Sequence, residues 1–299
     1  MKIGVVYPQI ELGGDPEALR RIGLATEDLG YDHLLMYDHV VGASHENRDP
    51  PLWGPYTEKD PFHDPLVAFS YLAAITRRIE LVTGILILPQ RQTVLAAQQC
   101  ADLDLLSGQR LRLGVGSGWN YVEYEALGQD FASRGARLGE QVELLRRLWR
   151  EPQVTFEGRF DRIDRGAINP RPRRDIPIWM GGFSEPAFRR AAALADGFIF
   201  AGALTSSYTG KDTTVASVLD GWKRVRHHLA AKGRAEQNFG AELIMLEAGN
   251  TDQVVDTLKR WQDAGGTSAS VFTMGLGFRR VEQHQDYLEK VKAKLASLR

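Results

Sequence analysis

Along the chain, nearly continuous apolar runs of five to ten residues alternate with stretches in which apolar residues recur every three or four positions. The runs are KIGVVY (2–7), HLLMY (33–37), IELVTGILIL (79–88), RLRLGVG (110–116), IPIWM (176–180), GFIFA (197–201), AELIML (241–246) and ASVFTM (269–274). Unbroken apolar runs of this length fit parallel strands buried on both faces. Between them lie helical stripes. Leu138, Val142, Leu145 and Trp149 form one, Val254, Leu258 and Trp261 another, and Val281, Leu288, Val291 and Leu295 a last. Eight strands, each followed by a helix, predict an α/β fold of the (β/α)8 TIM-barrel type, as one domain over 1–299. A doubly wound open sheet is the rival, but it gives no reason for eight units.

Two insertions interrupt the alternation. Residues 42–65, GASHENRDPPLWGPYTEKDPFHDP, hold five prolines together with Trp53, Tyr56 and Phe62. They follow the second strand and so lie over the carboxyl face, where barrel active sites form. The segment is expected to be a lid, with a surface cover or a subunit contact as the alternatives. Residues 152–175, before the fifth strand, open on the hairpin-like VTFEGRFDRI and end in the stiff NPRPRRDIP.

Composition narrows the partners. Lys plus Arg number 37 against 38 acidic residues, a formal net charge of -1. That gives no electrostatic reason to expect a nucleic acid or a membrane surface. No apolar run approaches the ~18 residues of a membrane span. Cys100 is the single cysteine, in the helical AAQQCADLDLL, and is expected to be inert packing. It excludes an internal disulfide and fits a cytoplasmic location. The start, MKIGVVYPQI, is broken by Pro8 too soon to read as a signal peptide.

The candidate chemistry lies at the strand ends. Gly114, Gly116 and Gly118 follow G-x-G-x-G, not the G-x-G-x-x-G of a dinucleotide fingerprint, and they begin inside the strand. They read as a strand end stripped of side chains, either for close approach of a flat ligand or for packing. In IWMGGFSEPAF (178–188), Gly181 and Gly182 lead to Ser184 as an N-cap, with Pro186 in the first turn. This is either a phosphate cradle or a capped tight turn. Asp38-His39 ends the second strand; the histidine can move a proton near neutral pH, or can be satisfied by backbone groups. Asn120 and Glu123 have capping-box spacing for a short helix ended by Gly128.

Taken in order, YDHLLMYDHV, TRRIELVTGILILPQRQTVLAAQQCADLDLLSGQRLRLGVGSGWNYVEYEALGQDFASRG, FEGRF and PRPRRDIPIWMGGFSEPAFRRAAALADGF resemble the bacterial luciferase-like monooxygenase superfamily. They look most like its branch of oxidoreductases dependent on the deazaflavin coenzyme F420. The match covers roughly residues 1–200, and the remainder follows by pattern only. The resemblance implies a tricyclic ring at the carboxyl face, backed by a bulge with a non-prolyl cis peptide at Gly84-Ile85. It implies His39 at the reactive edge as the catalytic residue, beside Asp38. It implies backbone and side-chain contacts from Gly116, Ser117, Gly118 and Trp119, with Gly116 and Gly118 clearing space beside the ring. It implies phosphate held by Gly181, Gly182, Phe183 and Ser184 with the loop after Gly202. Relatives are often dimers, so a homodimer is expected. One departure stands out: sugar-phosphate dehydrogenases of this branch carry a glutamate about where Trp119 stands here.

The leading expectation is hydride transfer between coenzyme F420 and a small, apolar organic substrate. An FMN-dependent monooxygenase using reduced flavin and O2 is the alternative on the same barrel. A metallohydrolase would draw on Asp38, His39, His45, His63 and Asp64, but the first strand lacks H-x-H, and no metal is expected. A non-catalytic cofactor-binding protein completes the set.

Overall fold

The computed structural model describes residues 1–202 and 214–296. Its strands are β1 (Lys2–Val6), β2 (His33–Met36), β3 (Glu80–Thr83), β4 (Leu86–Ile87), β5 (Leu111–Gly116), β6 (Val154–Glu157), β7 (Arg162–Gly166), β8 (Ile178–Gly181), β9 (Gly197–Gly202), β10 (Gly240–Met245) and β11 (Ser268–Val271). The helices are α1 (Pro16–Asp28), α2 (Pro65–Ile75), α3 (Thr93–Leu106), α4 (Tyr121–Ala126), α5 (Arg134–Arg150), α6 (Glu185–Leu194), α7 (Val215–Ala231), α8 (Thr251–Asp263) and α9 (Val281–Ala296).

Strands β3-β2-β1-β11-β10-β9-β8-β5 pair in parallel in that order, and β3 pairs with β5 to close the ring. Eight parallel strands with crossover helices make a (β/α)8 barrel, as the alternation of patterns requires. The helical stripes face it: Leu138, Val142, Leu145, Val254, Leu258, Trp261, Leu288 and Val291 are all buried. The excursion before β8 is an antiparallel hairpin of β6 and β7. Among the described residues, no helix is long and apolar enough to cross a membrane.

The run at 79–88 is not one strand. Val82 pairs with Arg112 and Leu86 with Val115, so four residues on this side span three on β5. The extra residue is a bulge, and within it the Gly84-Ile85 peptide is cis. Asp38 holds the far side of the bulge. Its carboxylate accepts from the Ile87 N–H (2.9 Å) and from Arg91 (2.7 Å), which also bonds Asp64 (2.9 Å), the N-cap of α2. Burial works against the charge on Arg91, but Asp38 and Asp64 outweigh it and keep the guanidinium firmly protonated.

The barrel floor is polar. His33 Nε2 lies 2.9 Å from Glu242 and 2.8 Å from Ser270. Arg112 pairs with Glu242 and lies over the Trp179 ring, 4.3 Å from its centroid. Burial alone would raise the Glu242 carboxyl; Arg112, His33 and Ser270 outweigh it and hold the group well below the usual carboxylate range.

Candidate active site

Among the cavities that the described residues form at the carboxyl ends of the barrel strands, two adjoin. The larger, about 490 Å³, runs from Ile85 and the β5 end toward α5 and α6. The smaller, about 160 Å³, lies under the 42–65 segment. They meet along Ile85, Gly118, Trp119 and Phe183, which line both.

The glycines at this face make room for the bulge. A Cβ on Gly116 would stand 2.7 Å from Ile85 Cδ1, one on Gly181 2.8 Å from Ile85 Cγ2, and one on Gly118 2.9 Å from Ile87 Cγ2. Gly116 and Gly118, expected to clear space beside a ring, both line the larger cavity, and a side chain at either would also meet Ile85 or Ile87. Part of the space goes to Ile85 and Ile87, whose bulged backbone pushes them against the neighbouring strands. Ile85 thereby becomes the floor between the two cavities.

His39 lines the smaller cavity inside an aromatic cage of Phe62 (ring centroids 5.0 Å apart), Tyr56 (5.3 Å) and Trp119 (5.5 Å). Its Nδ1 lies 3.3 Å from Glu123 Oε2. Glu123 is fully buried and also accepts from the Val40 and Val41 N–H groups and from Gln90 (3.0 Å). Burial pushes this carboxyl up, yet the bond and charge from His39, with Gln90 and Val41, hold it below its ordinary value. Glu123 is therefore a carboxylate and only accepts. Against that carboxylate Nδ1 carries a proton whether His39 is charged or neutral, and in the neutral form the lone pair falls to Nε2. Among the described residues, Nε2 has no hydrogen-bond partner.

Glu123 thus departs from its expected local role. Asn120 does cap α4, accepting from the Val122 and Glu123 N–H groups (3.1 and 3.3 Å). The Glu123 side chain does not complete the capping box; it reaches across to residues 39–41. It is the carboxylate at this histidine, one helical turn beyond Trp119. Spacing offered a signal for a polar residue here but pointed it at the wrong partner.

Trp119 walls both cavities. Trp53 stacks on it (6.4 Å, 23°), and a Cβ on Gly54 would collide with its ring. The 42–65 segment does cover the carboxyl face. It is tied down by Tyr121 Oη donating to the Pro50 carbonyl (2.6 Å), and within it His45 bonds the Tyr56 carbonyl (3.0 Å). His45 and Asp64 are thus engaged elsewhere, and no group of three metal-binding side chains exists among the described residues.

At the β8 end, Gly182 has φ +153°, and a Cβ there would stand 2.8 Å from Ala187 Cβ. Ser184 is the N-cap of α6 by backbone geometry, its carbonyl accepting from Ala187 and Phe188. Its side chain makes no capping bond, unlike the expected cap. Ser184 and the first residues of α6 line the larger cavity. Phe183 is half exposed at the junction of the cavities. Gly202 ends β9, and the loop expected to follow it at the phosphate, residues 203–213, lies outside the described residues. Cys100 is buried, and burial pushes its thiol up to about 12, so it is inert.

Comparison with known proteins adds the ancestry. Residues 1–229 match the family model described as luciferase-like monooxygenase. An uncharacterised protein of Mycobacterium tuberculosis is 32% identical over 260 residues, 84% of this chain and 85% of that one. The F420-dependent glucose-6-phosphate dehydrogenase of Nakamurella multipartita is 32% identical over 218 residues, 72% of this chain but 60% of that enzyme. Among solved structures, the monooxygenase RslO1 from Streptomyces bottropensis superposes with a TM-score of 0.79 at 19% identity, covering 99% of each chain. An F420-dependent secondary alcohol dehydrogenase, solved with an F420-acetone adduct, gives 0.78 at 14% identity, covering 97% of each. At these identities the two structures establish the shared fold.

Proposed function

Since the chain belongs to the luciferase-like monooxygenase family, we propose that it is an F420-dependent oxidoreductase acting on a small, uncharged, apolar alcohol or carbonyl compound. The observation that carries this reading is His39. The residue lines an apolar cavity, and its Nδ1 lies 3.3 Å from a buried carboxylate. That is the arrangement of a general base or, once protonated, a general acid, placed where a substrate oxygen gains or loses a proton.

The residues present fit a deazaflavin nucleotide. Ile85 offers a flat apolar floor on a bulged backbone, Phe183 and Trp119 offer walls, and the Gly181–Gly182 turn offers a close backbone approach at a helix start. When bound, the deazaflavin supplies a hydride donor or acceptor at its C5. The chain supplies the rest. Glu123 fixes the tautomer of His39 and stabilises its charged form. The aromatic cage orients the imidazole, and the 42–65 segment keeps water from the cavity.

The substrate class follows from the lining. Tyr37, Pro55, Tyr56, Ile87, Ile244 and Leu246 surround the smaller cavity, and among the described residues no lysine or arginine lines it. A sugar phosphate would find no arginine or lysine counter-ion among the described lining residues, unlike what the glucose-6-phosphate dehydrogenases it resembles would need. Titration of the purified protein with oxidised F420 and with FMN, read by absorbance and fluorescence, tests the cofactor. F420 binding at least tenfold tighter supports the reading; tighter FMN binding replaces it with the flavin monooxygenase.

A further inference from the structure

The larger cavity carries positive charge well beyond the ring floor. Arg134 opens α5, and Arg190 comes from the middle of α6; both line the larger cavity and neither lines the smaller. The Arg190 guanidinium lies across the start of α5, where a Cβ on Gly135 would stand 2.9 Å from its Nη2. Arg134 donates to the Phe131 carbonyl (2.6 Å) and stacks over the Phe131 ring, 3.7 Å from its centroid. Among the described residues, neither arginine has a carboxylate within ion-pairing distance.

This arrangement is unfavourable by itself. A helix start is the positive end of its dipole, and a second cation brought against it costs free energy unless an anion lies between them. Burial pulls Arg190 below the usual arginine range, with no neighbouring carboxylate to offset it. The Gly181–Gly182 turn and Ser184 already provide a seat for one phosphate on the same cavity wall. A phosphodiester carries one negative charge, so two guanidiniums on the same cavity lining leave positive charge for a further anionic group.

We propose that Arg134 and Arg190 form a carboxylate-binding site for the far end of the cofactor tail, so that the protein prefers a deazaflavin carrying tail glutamates over one that ends at its phosphodiester. The proposal rests on the F420 reading above and adds a basis for choosing among cofactor forms. Planar guanidiniums match carboxylates in a way that single point charges do not.

The test is a fluorescence titration of the full-length protein with three probes: glutamate-tailed F420, the phospholactyl deazaflavin lacking glutamates, and the deazaflavin riboside lacking phosphate. The parent protein is expected to bind the glutamate-tailed form about tenfold or more tightly than the glutamate-free form, with the difference shrinking as salt is raised. Arg134→Gln with Arg190→Gln should erase that difference and leave the two shorter probes within twofold, while Arg190→Lys should restore part of it. Equal losses for the tailed and glutamate-free probes would assign the pair to the phosphate and overturn the proposal. So would a tail preference that survives in the double variant. Failure of every deazaflavin to bind the parent protein would instead remove the F420 reading itself.

Discussion

Glu123→Gln isolates the carboxylate behind His39 with little change of shape. The amide oxygen can still accept from the Val40 and Val41 N–H groups, so the turn after β2 keeps its anchor. What changes is the group facing Nδ1. At 3.3 Å and an effective dielectric of ~20, a full charge on Glu123 stabilises an imidazolium by about 5 kcal/mol. With the amide oxygen kept on Val40 and Val41, the NH2 faces Nδ1 and retains little of that, so roughly 3–5 kcal/mol disappears from any step that charges His39, slowing it by roughly 10²-fold or more. An amide N–H turned toward the ring also favours the opposite tautomer, with the proton on Nε2. Two assays follow: anaerobic stopped-flow oxidation of reduced F420 by a panel of small ketones, and ¹⁵N chemical shifts of the imidazole nitrogens. The expected result is slower hydride transfer at nearly unchanged cofactor affinity, with the tautomer switched. If Glu123 only pins the turn, the variant will lose stability and affinity together while its bound fraction turns over normally. Parent rates with an unswitched tautomer would refute the dyad outright.

Three further outcomes are expected. Ser184→Asp should keep α6 intact, because aspartate is an equally good N-cap, yet weaken F420 binding by about tenfold or more in isothermal titration, because its charge faces the phosphate; unchanged affinity would move the phosphate elsewhere. It is a cleaner probe than any substitution of Gly182, where a Cβ would press on Ala187. Glu242→Gln should cost about 1–3 kcal/mol in urea unfolding, because Arg112 loses its fully buried carboxylate but keeps Glu80 at 3.3 Å. Because the folded carboxylate lies below its unfolded value of 4.5, that contribution is present at neutral pH and fades only as pH falls below about 4.5, so the two proteins should converge in acid. Finally, backbone amides in 42–62 should gain hydrogen-exchange protection when cofactor and substrate are both present; equal protection with and without them would make the segment a static cover.

The barrel was legible because its strands are buried on both faces and so read as continuous apolar runs. Phe198, Ile199 and Phe200 in β9 show this directly, all three buried. The bulge was harder to read, since Gly84-Ile85 sits inside an unbroken apolar run and only its register against β5 exposes the extra residue. His39 stood out at a strand end, but its partner did not. Glu123 lies 84 positions away, and its i, i+3 relation to Asn120 offered a sufficient local explanation. The barrel floor was hidden for a related reason. His33, Arg112, Glu242 and Ser270 each come from a different strand, and no local pattern joins them. Arg134 and Arg190 sit on different helices, α5 and α6, and no local pattern joins them.

In the proposed reaction, His39 handles the proton while hydride passes between coenzyme F420 and a small neutral substrate. Single-turnover oxidation of reduced F420 by small ketones, without oxygen and with a saturating cofactor level, measures that step alone. The parent protein should oxidise the cofactor without O2, and His39→Ala should slow it by ~10²–10⁴-fold while still binding F420. Transfer at the parent rate in His39→Ala, or turnover only when O2 is admitted, would contradict the account.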